Sequence, residues 1–125
     1  MRFDDDFLWI FVILGCFGVP ISRPFGINSR KKIGLKKTYS QKEITIINDY
    51  SGPAYGLPSR KTIKAIKYVA EKEGMITDPV YEGKSMQGLI DLAKKQFFPE
   101  GSKILYAHLG GAPALNGYSY YYKDG

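Results

Sequence analysis

Residues Thr77–Ser85 read TDPVYEGKS and predict a turn that runs directly into a helix. A second turn of this kind lies at Tyr106–Tyr118, YAHLGGAPALNGY, where Leu109 and two glycines precede a helical pattern. In α/β proteins such turns place side chains and backbone N–H groups at the sheet edge where ligands bind. We therefore expect the functional site to be built from these two turns and from Tyr55.

The remaining pattern predicts strands that alternate with helices. Helices are expected over Lys61–Glu73, from about Gly83 to Gln96, and over Ala112–Tyr121, where Pro113 suits the first turn. Strands are expected at Glu43–Tyr50, which is rich in β-branched residues, and at Ile104–Ala107, an apolar run typical of a strand buried on both faces. This order favours an α/β sheet with helices packed on it.

Local signals define the ends and faces of the first two helices. Ser59 is the expected N-cap of the first helix and Gly74 its C-terminal stop, and the proline- and glycine-rich stretch Ser51–Ser59 before it is expected to be a loop. Apolar residues recur at helical spacing and predict the buried faces: Ile63, Ile66, Val69 and Ala70 in the first helix, and Met86, Leu89, Ile90, Ala93 and Phe97 in the second.

The first 30 residues match neither a membrane anchor nor a signal peptide well. The uncharged stretch Phe7–Ile21 has 15 residues, fewer than the roughly 20 that a membrane-spanning helix needs. A secretory signal needs a basic start, whereas acidic residues fill Asp4–Asp6. The stretch is a poor signal or anchor, a buried strand-turn segment, or sequence foreign to the protein such as translated non-coding sequence, and we favour the last. We expect no contact with a membrane, and we expect the protein to be cytoplasmic.

The net charge of +6 is concentrated between Arg23 and Lys42. Such a run can bind nucleic acid or anionic lipid, but a solvated linker is the more common role, and we expect no nucleic-acid partner. Cys16 is the sole cysteine and His108 the sole histidine. The chain therefore has no internal disulfide, and no metal site is expected.

Several residues of the two turns could carry chemistry, and each has a structural alternative. Glu82 is either a favourable charge at a helix N-terminus or a carboxylate that keeps a cofactor's ring nitrogen protonated. Tyr81 is either a packed aromatic or a phenol that acts as acid, base or nucleophile. Gly110 and the glycine after it could bind an anion through backbone N–H groups, although a Gly-Gly pair is a weak signal. We expect Lys84 to be a surface charge and His108 to be structural.

Three runs of the sequence resemble one enzyme family closely. YSGPAYGLPSRKTIKAI, EGMITDPVYEGKSMQGLIDL and FPEGSKILYAHLGGAPALNGY are similar to the C-terminal part of 1-aminocyclopropane-1-carboxylate deaminases. The resemblance implies a partial three-layer αβα fold of the fold type II enzymes that depend on pyridoxal phosphate, the tryptophan-synthase-β-like class. Residues 31–125 are then the C-terminal part of the deaminase domain, and residues 1–30 remain an unassigned apolar leader.

The resemblance also implies roles for individual residues. Glu82 approaches the pyridine nitrogen of the cofactor, and Gly110 is assigned to cofactor contact. Tyr81 attacks or protonates the cyclopropane, while Tyr55 and Leu109 line the pocket of the amino acid substrate. A close cousin, D-cysteine desulfhydrase, carries smaller polar residues at the equivalents of Glu82 and Leu109, so this pair favours the deaminase branch.

This sequence departs from the family pattern in one large respect. The lysine that carries the cofactor and most of the phosphate-binding loop belong to the first two-thirds of such enzymes, and no matching motif occurs here. We expect a C-terminal fragment of an enzyme that forms homo-oligomers and yields 2-oxobutanoate and ammonia when complete. The chain alone is expected to bind no pyridoxal phosphate and to have no useful turnover. A truncated, non-catalytic paralogue with a membrane-associating leader is the alternative.

Overall fold

A computed structural model describes residues 47–123 of the chain. It contains helix α1 at Arg60–Glu73, helix α2 at Glu82–Lys94 and a 3-10 helix at Ala112–Tyr122. The predictions for the leader, for the basic run and for the first half of the first strand lie outside these residues. Within the described part, no helix is both long and apolar enough to cross a membrane.

Helix α1 confirms the predicted signals at both ends. The Ser59 hydroxyl accepts a hydrogen bond from the backbone N–H of Thr62 at 3.1 Å, and the Thr62 hydroxyl accepts one from the N–H of Ser59 at 3.3 Å. This reciprocal cap satisfies two N–H groups that the first helical turn leaves without partners. Gly74 ends the helix with a φ of 64°, a left-handed conformation that glycine adopts without steric cost.

Helix α2 begins one residue before its predicted start and ends two residues before its predicted end. Its buried residues are Glu82, Gly83, Lys84, Met86, Gly88 and Leu92, so the predicted apolar face is only partly right. Phe97 is 47% exposed. The chain leaves the helix after Lys94, and Gln96 turns it with a φ of 56°. Because of that turn, Phe98 and not Phe97 reaches the core.

The core lies between helix α2 and the residues on either side of it. Tyr50, Leu92 and Phe98 are each less than 10% exposed and pack together. The Tyr50 hydroxyl donates to a carboxylate oxygen of Asp91 at 2.6 Å, which anchors the edge of this cluster to α2. This hydrogen bond therefore joins the residues that precede the Ser51–Ser59 loop to α2, the helix that begins at Glu82.

Helices α1 and α2 cross closely at a glycine. A Cβ added to Gly83 would lie 2.5 Å from Cδ1 of Ile66 and 2.7 Å from the carbonyl oxygen of Asp78. No other residue type fits this point without movement of the backbone. The crossing fixes the start of α2 relative to α1.

The two predicted strands are not formed by the described residues. Ile47–Tyr50, the described end of the first strand, contains a turn, and residues 104–107 have no strand hydrogen bonds. Ile104 is 41% and Leu105 61% exposed, so the prediction of a buried strand is wrong for this structure. A strand needs a neighbouring strand to pair its backbone groups, and none lies within residues 47–123. The last helix is present as predicted, although it is a 3-10 helix without buried residues.

Candidate active site

The two phenols predicted from separate parts of the chain meet in the structure. Tyr81 lies at the N-cap position of α2, and Tyr55 lies in the turn that Ala54 and Leu57 close. Their hydroxyl oxygens are 2.8 Å apart and share a hydrogen bond. The rings meet edge to face, with centroids 5.8 Å apart, and each side chain is about half exposed at 51% and 52%. The pair can therefore contact a ligand and exchange a proton.

The first residue of α2, Glu82, joins the two turns. Its side chain is buried, with 6% of the residue exposed. Oε1 accepts hydrogen bonds from the backbone N–H of Leu109 and, at 3.0 Å, from that of Gly110. The glycine-rich turn does bind an anion, as its N–H groups suggested, but the anion is a carboxylate of the same chain. The Glu82 carboxylate therefore joins the two turns by hydrogen bonds, in addition to being a favourable charge at the helix N-terminus.

His108 contacts the second oxygen of the same carboxylate. Its Nδ1 atom lies against Oε2 of Glu82, in ion-pair range when the imidazole is protonated. The N–H of Gly110 also points at Nδ1, at 3.4 Å. One nitrogen cannot donate to Oε2 and accept from Gly110 together. Oε2 is buried and makes no hydrogen bond within the described residues, so it keeps acceptor capacity.

Asp78 orients this end of the helix, a role that the sequence analysis did not assign. Its carboxylate accepts from the backbone N–H groups of Val80 and Tyr81 at 2.8 Å each and from that of Glu82 at 2.9 Å. An aspartate shortly before a helical pattern is a known cap signal, so the residue could have been found. Gly111 packs against it: a Cβ there would lie 2.7 Å from Oδ2 of Asp78.

Leu109 is fixed through its backbone and not through its side chain. Its N–H donates to Glu82, while the residue is 89% exposed. Residues Gly110 and Gly111 follow with φ values of 107° and 92°, which only glycine adopts readily. The turn therefore presents an apolar side chain beside the buried carboxylate.

Tyr106 ties the second turn to the first turn of α2. Its hydroxyl donates to the carbonyl of Glu82 at 3.1 Å and shares a 2.7 Å hydrogen bond with the Ser85 hydroxyl. Burial raises the pKa of the Tyr106 phenol, which keeps it protonated and able to donate. This contact was missed in the sequence because a tyrosine in an apolar run gives no distinctive signal.

Lys84 is buried, so its expected place on the surface is wrong. Only 1% of the residue is exposed, and Nζ donates to the carbonyls of Ser51 at 2.7 Å and Ala54 at 2.9 Å. Sequence spacing could not reveal this, because the acceptors are backbone groups some 30 residues away. Among residues 47–123, no group of three or more His, Cys, Asp or Glu side chains could hold a metal ion.

A solved structure identifies the class of fold. The chain is similar to a crystal structure described as an "ACC deaminase homologue", with a TM-score of 0.60 and 34% identity over 76% of this chain and 27% of that chain. The fold is that of the type II pyridoxal-phosphate enzymes, of which the described residues form a largely helical part. The predicted fold class is therefore confirmed.

Curated proteins name the enzyme that the chain is similar to. The chain is 69% identical over 93 residues to the 1-aminocyclopropane-1-carboxylate deaminase of Rhizobium leguminosarum bv. viciae and 62% identical over 98 residues to that of Rhizobium radiobacter. Over the matched residues the chain is a homologue of 1-aminocyclopropane-1-carboxylate deaminases. No family model matches the sequence.

The match covers most of this chain but only a small part of each relative. It covers 74% and 78% of this chain but only 27% and 29% of these two relatives. The chain thus spans about a quarter to a third of the length of a family enzyme, which agrees with the prediction of a fragment.

Proposed function

We propose that residues 47–123 form one wall of a pyridoxal-phosphate site that opens and deaminates 1-aminocyclopropane-1-carboxylate in the complete enzyme. The observation that carries this proposal is the buried carboxylate of Glu82, which binds the backbone of Leu109 and Gly110 and directly follows, in the chain, the tyrosine whose hydroxyl pairs with that of Tyr55. A buried carboxylate and two half-exposed phenols supply, at one place, an anion for a ring and a proton donor for a substrate.

The residues fit the ring of the cofactor but supply little else for it. A protonated pyridine nitrogen needs an anionic acceptor, and Oε2 of Glu82 is buried with acceptor capacity left. The N–H of Gly110 is already donated to Glu82, and Nζ of Lys84 to two carbonyls. Glu82 would therefore face the ring nitrogen, with Gly110 fixing the carboxylate, while other parts of the enzyme hold the phosphate. When bound, pyridoxal phosphate supplies an electron-withdrawing ring.

The phenols would handle the proton that ring opening requires. Tyr81 is the residue we assign to the cyclopropane, as acid or as nucleophile, since its hydroxyl is both exposed and hydrogen-bonded. Tyr55 orients that hydroxyl and contacts the substrate. Leu109 offers an apolar surface to the cyclopropane methylenes, which carry no group that could accept a hydrogen bond.

A chimeric enzyme tests this proposal in a complete protein. Residues 47–123 would replace the matching segment of the Rhizobium leguminosarum relative, with which the chain shares 69% identity. We expect 2-oxobutanoate to form from 1-aminocyclopropane-1-carboxylate, and Tyr81→Phe to lower kcat about 100-fold or more, the usual contribution of general acid–base catalysis. Tyr68→Phe, at an exposed tyrosine of α1, is the matched control.

Two results would contradict the proposal. Equal activities of the Tyr81→Phe and Tyr68→Phe chimeras would remove Tyr81 from the chemistry. A chimera that prefers D-cysteine would place the chain with the desulfhydrases instead, and Glu82→Ser with Leu109→Thr is expected to shift the preference in that direction.

A further inference from the structure

Lys84 is a buried charged group for which the proposed chemistry has no use. Nζ lies 2.7 Å from the Ser51 carbonyl oxygen and 2.9 Å from that of Ala54, and the residue is 1% exposed. Within the described residues it forms no ion pair with a carboxylate. A buried ammonium is costly unless it is well bonded, so these two carbonyls are its compensation and the loop that carries them is fixed in return.

The loop fits closely around the lysine. Gly52 has a φ of 81°, and a Cβ at this glycine would lie 3.2 Å from both Cε and Nζ of Lys84. The Ala54 carbonyl accepts from Lys84 and also from the N–H of Leu57, at 3.2 Å, which closes the turn. The lysine therefore binds the first residue of the turn that carries Tyr55.

A second side chain binds the other side of the same turn. The Tyr118 hydroxyl donates to the Gly56 carbonyl at 2.6 Å. Tyr55 is thus flanked by two residues, Ala54 and Gly56, whose carbonyls are both fixed by buried or partly buried donors. Of the two donors, Lys84 lies one turn of helix after Tyr81, on the element that presents the second phenol.

We propose that Lys84 is a positioning residue that sets the Tyr55 hydroxyl against that of Tyr81. Its ammonium connects the turn of Tyr55 to the first turn of α2, so that one helix determines the position of both phenols. The catalytic consequence rests on the proposed function of the tyrosine pair. The geometric claim stands without it.

The geometric claim is tested in the full 125-residue chain, with 3-fluorotyrosine placed at position 55 and read by ¹⁹F NMR. In the otherwise unchanged chain, Tyr81→Phe is expected to shift the resonance, because it removes the direct hydrogen bond. In Lys84→Met, we expect the resonance to move to the position of the urea-unfolded chain and to lose its response to Tyr81→Phe. Lys94→Met, at an exposed lysine of the same helix, is the matched control and should keep that response.

Chemical rescue separates positioning from simple occupancy of space. Lys84→Cys, made with Cys16→Ser and alkylated with 2-bromoethylamine, restores an ammonium of nearly the same reach and should restore the response of the resonance.

In the chimera, Lys84→Met is expected to lower kcat about tenfold with a smaller change in KM, as a misplaced catalytic group does. An inactive chimera with an intact NMR response would overturn the proposed function and leave Lys84 as a positioning residue.

Three outcomes would overturn the proposal. One is a Tyr55 resonance in Lys84→Met that still responds to Tyr81→Phe, and another is a failure of the alkylated variant to restore the response. The third concerns folding: Lys84→Gln keeps an uncharged N–H donor group, and if both it and Lys84→Met lose the helical circular dichroism, Lys84 serves folding and not position.

Discussion

The helix pair and residues 99–123 are stabilised in different ways. Helices α1 and α2 bury apolar side chains, cross closely at Gly83, and carry caps that the local sequence supplies. The 3-10 helix has no buried residue. Residues 99–123 instead reach the helix pair through polar contacts near the start of α2, from Tyr106, from the backbone of Leu109 and Gly110, and from Tyr118 through the Tyr55 loop.

The difference locates the site. The packing of α1 against α2 determines the position in space of the first turn of α2. Hydrogen bonds then hold the turn at Tyr106–Tyr118 against that first turn. Since such bonds contribute about 1 kcal/mol each, the second turn depends on a few named contacts, whereas the helix pair depends on close packing that tolerates little change. The three changes that follow act first on the packing, then on the polar contacts, then on the edge of the core.

The largest effect is expected where the helices cross. Gly83→Ala places a Cβ within 2.7 Å of both Ile66 and the Asp78 carbonyl, and overpacking of this kind costs about 3 kcal/mol. Urea unfolding followed by far-UV circular dichroism measures the loss. Gly117→Ala is the matched control, because a Cβ there meets nothing within 4 Å. Equal stability of the two variants would show that the crossing is not tightly packed.

A smaller and more local effect is expected from Glu82→Gln. The amide keeps the shape of the carboxylate, but its hydrogen bonds from Leu109 and Gly110 lose the assistance of the charge. A loss of about 1.4 kcal/mol in local stability accelerates amide hydrogen exchange at these two residues about tenfold. The α1 amides should not change, and Glu100→Gln, at an exposed position, should change neither region. Acceleration across α1 as well would mean that the two regions are not held independently.

The smallest effect is expected at the edge of the core and depends on pH. Hydrogen bonds from Lys95 and then Tyr50 hold the pKa of the Asp91 carboxyl below its usual value of 3.8. A lowered folded pKa stabilises the protein above the unfolded pKa, and this contribution is lost as pH falls through the folded value.

Asp91→Asn should therefore remove part of the difference in urea midpoint between pH 7 and pH 3. Asp49→Asn, at an exposed position, is the comparison. A pH dependence that is identical in both variants would show that Asp91 is not a source of acid sensitivity.

Sequence patterns predicted the ends of the helices and the loop before α1 well, and the buried face of α2 less well. The Ser59 cap, the Gly74 stop and the loop before α1 follow from short-range rules, and all are confirmed. The face of α2 was less predictable, because periodicity cannot show that the chain turns at Gln96 and brings Phe98 inward. The strand at residues 104–107 failed for a similar reason, since pairing depends on a neighbour that the pattern of one segment cannot specify.

The sequence by itself therefore determined where α1 and α2 begin and end to within two residues, and which two turns carry the polar residues of the site. Only the tertiary structure decided that Glu82 binds the second turn, that Tyr55 meets Tyr81, and that Lys84 is buried beneath the Tyr55 loop. The physical reason is range. Caps and periodicity act over three or four residues, whereas these contacts join groups 26 to 33 residues apart, which meet only once the whole chain has folded.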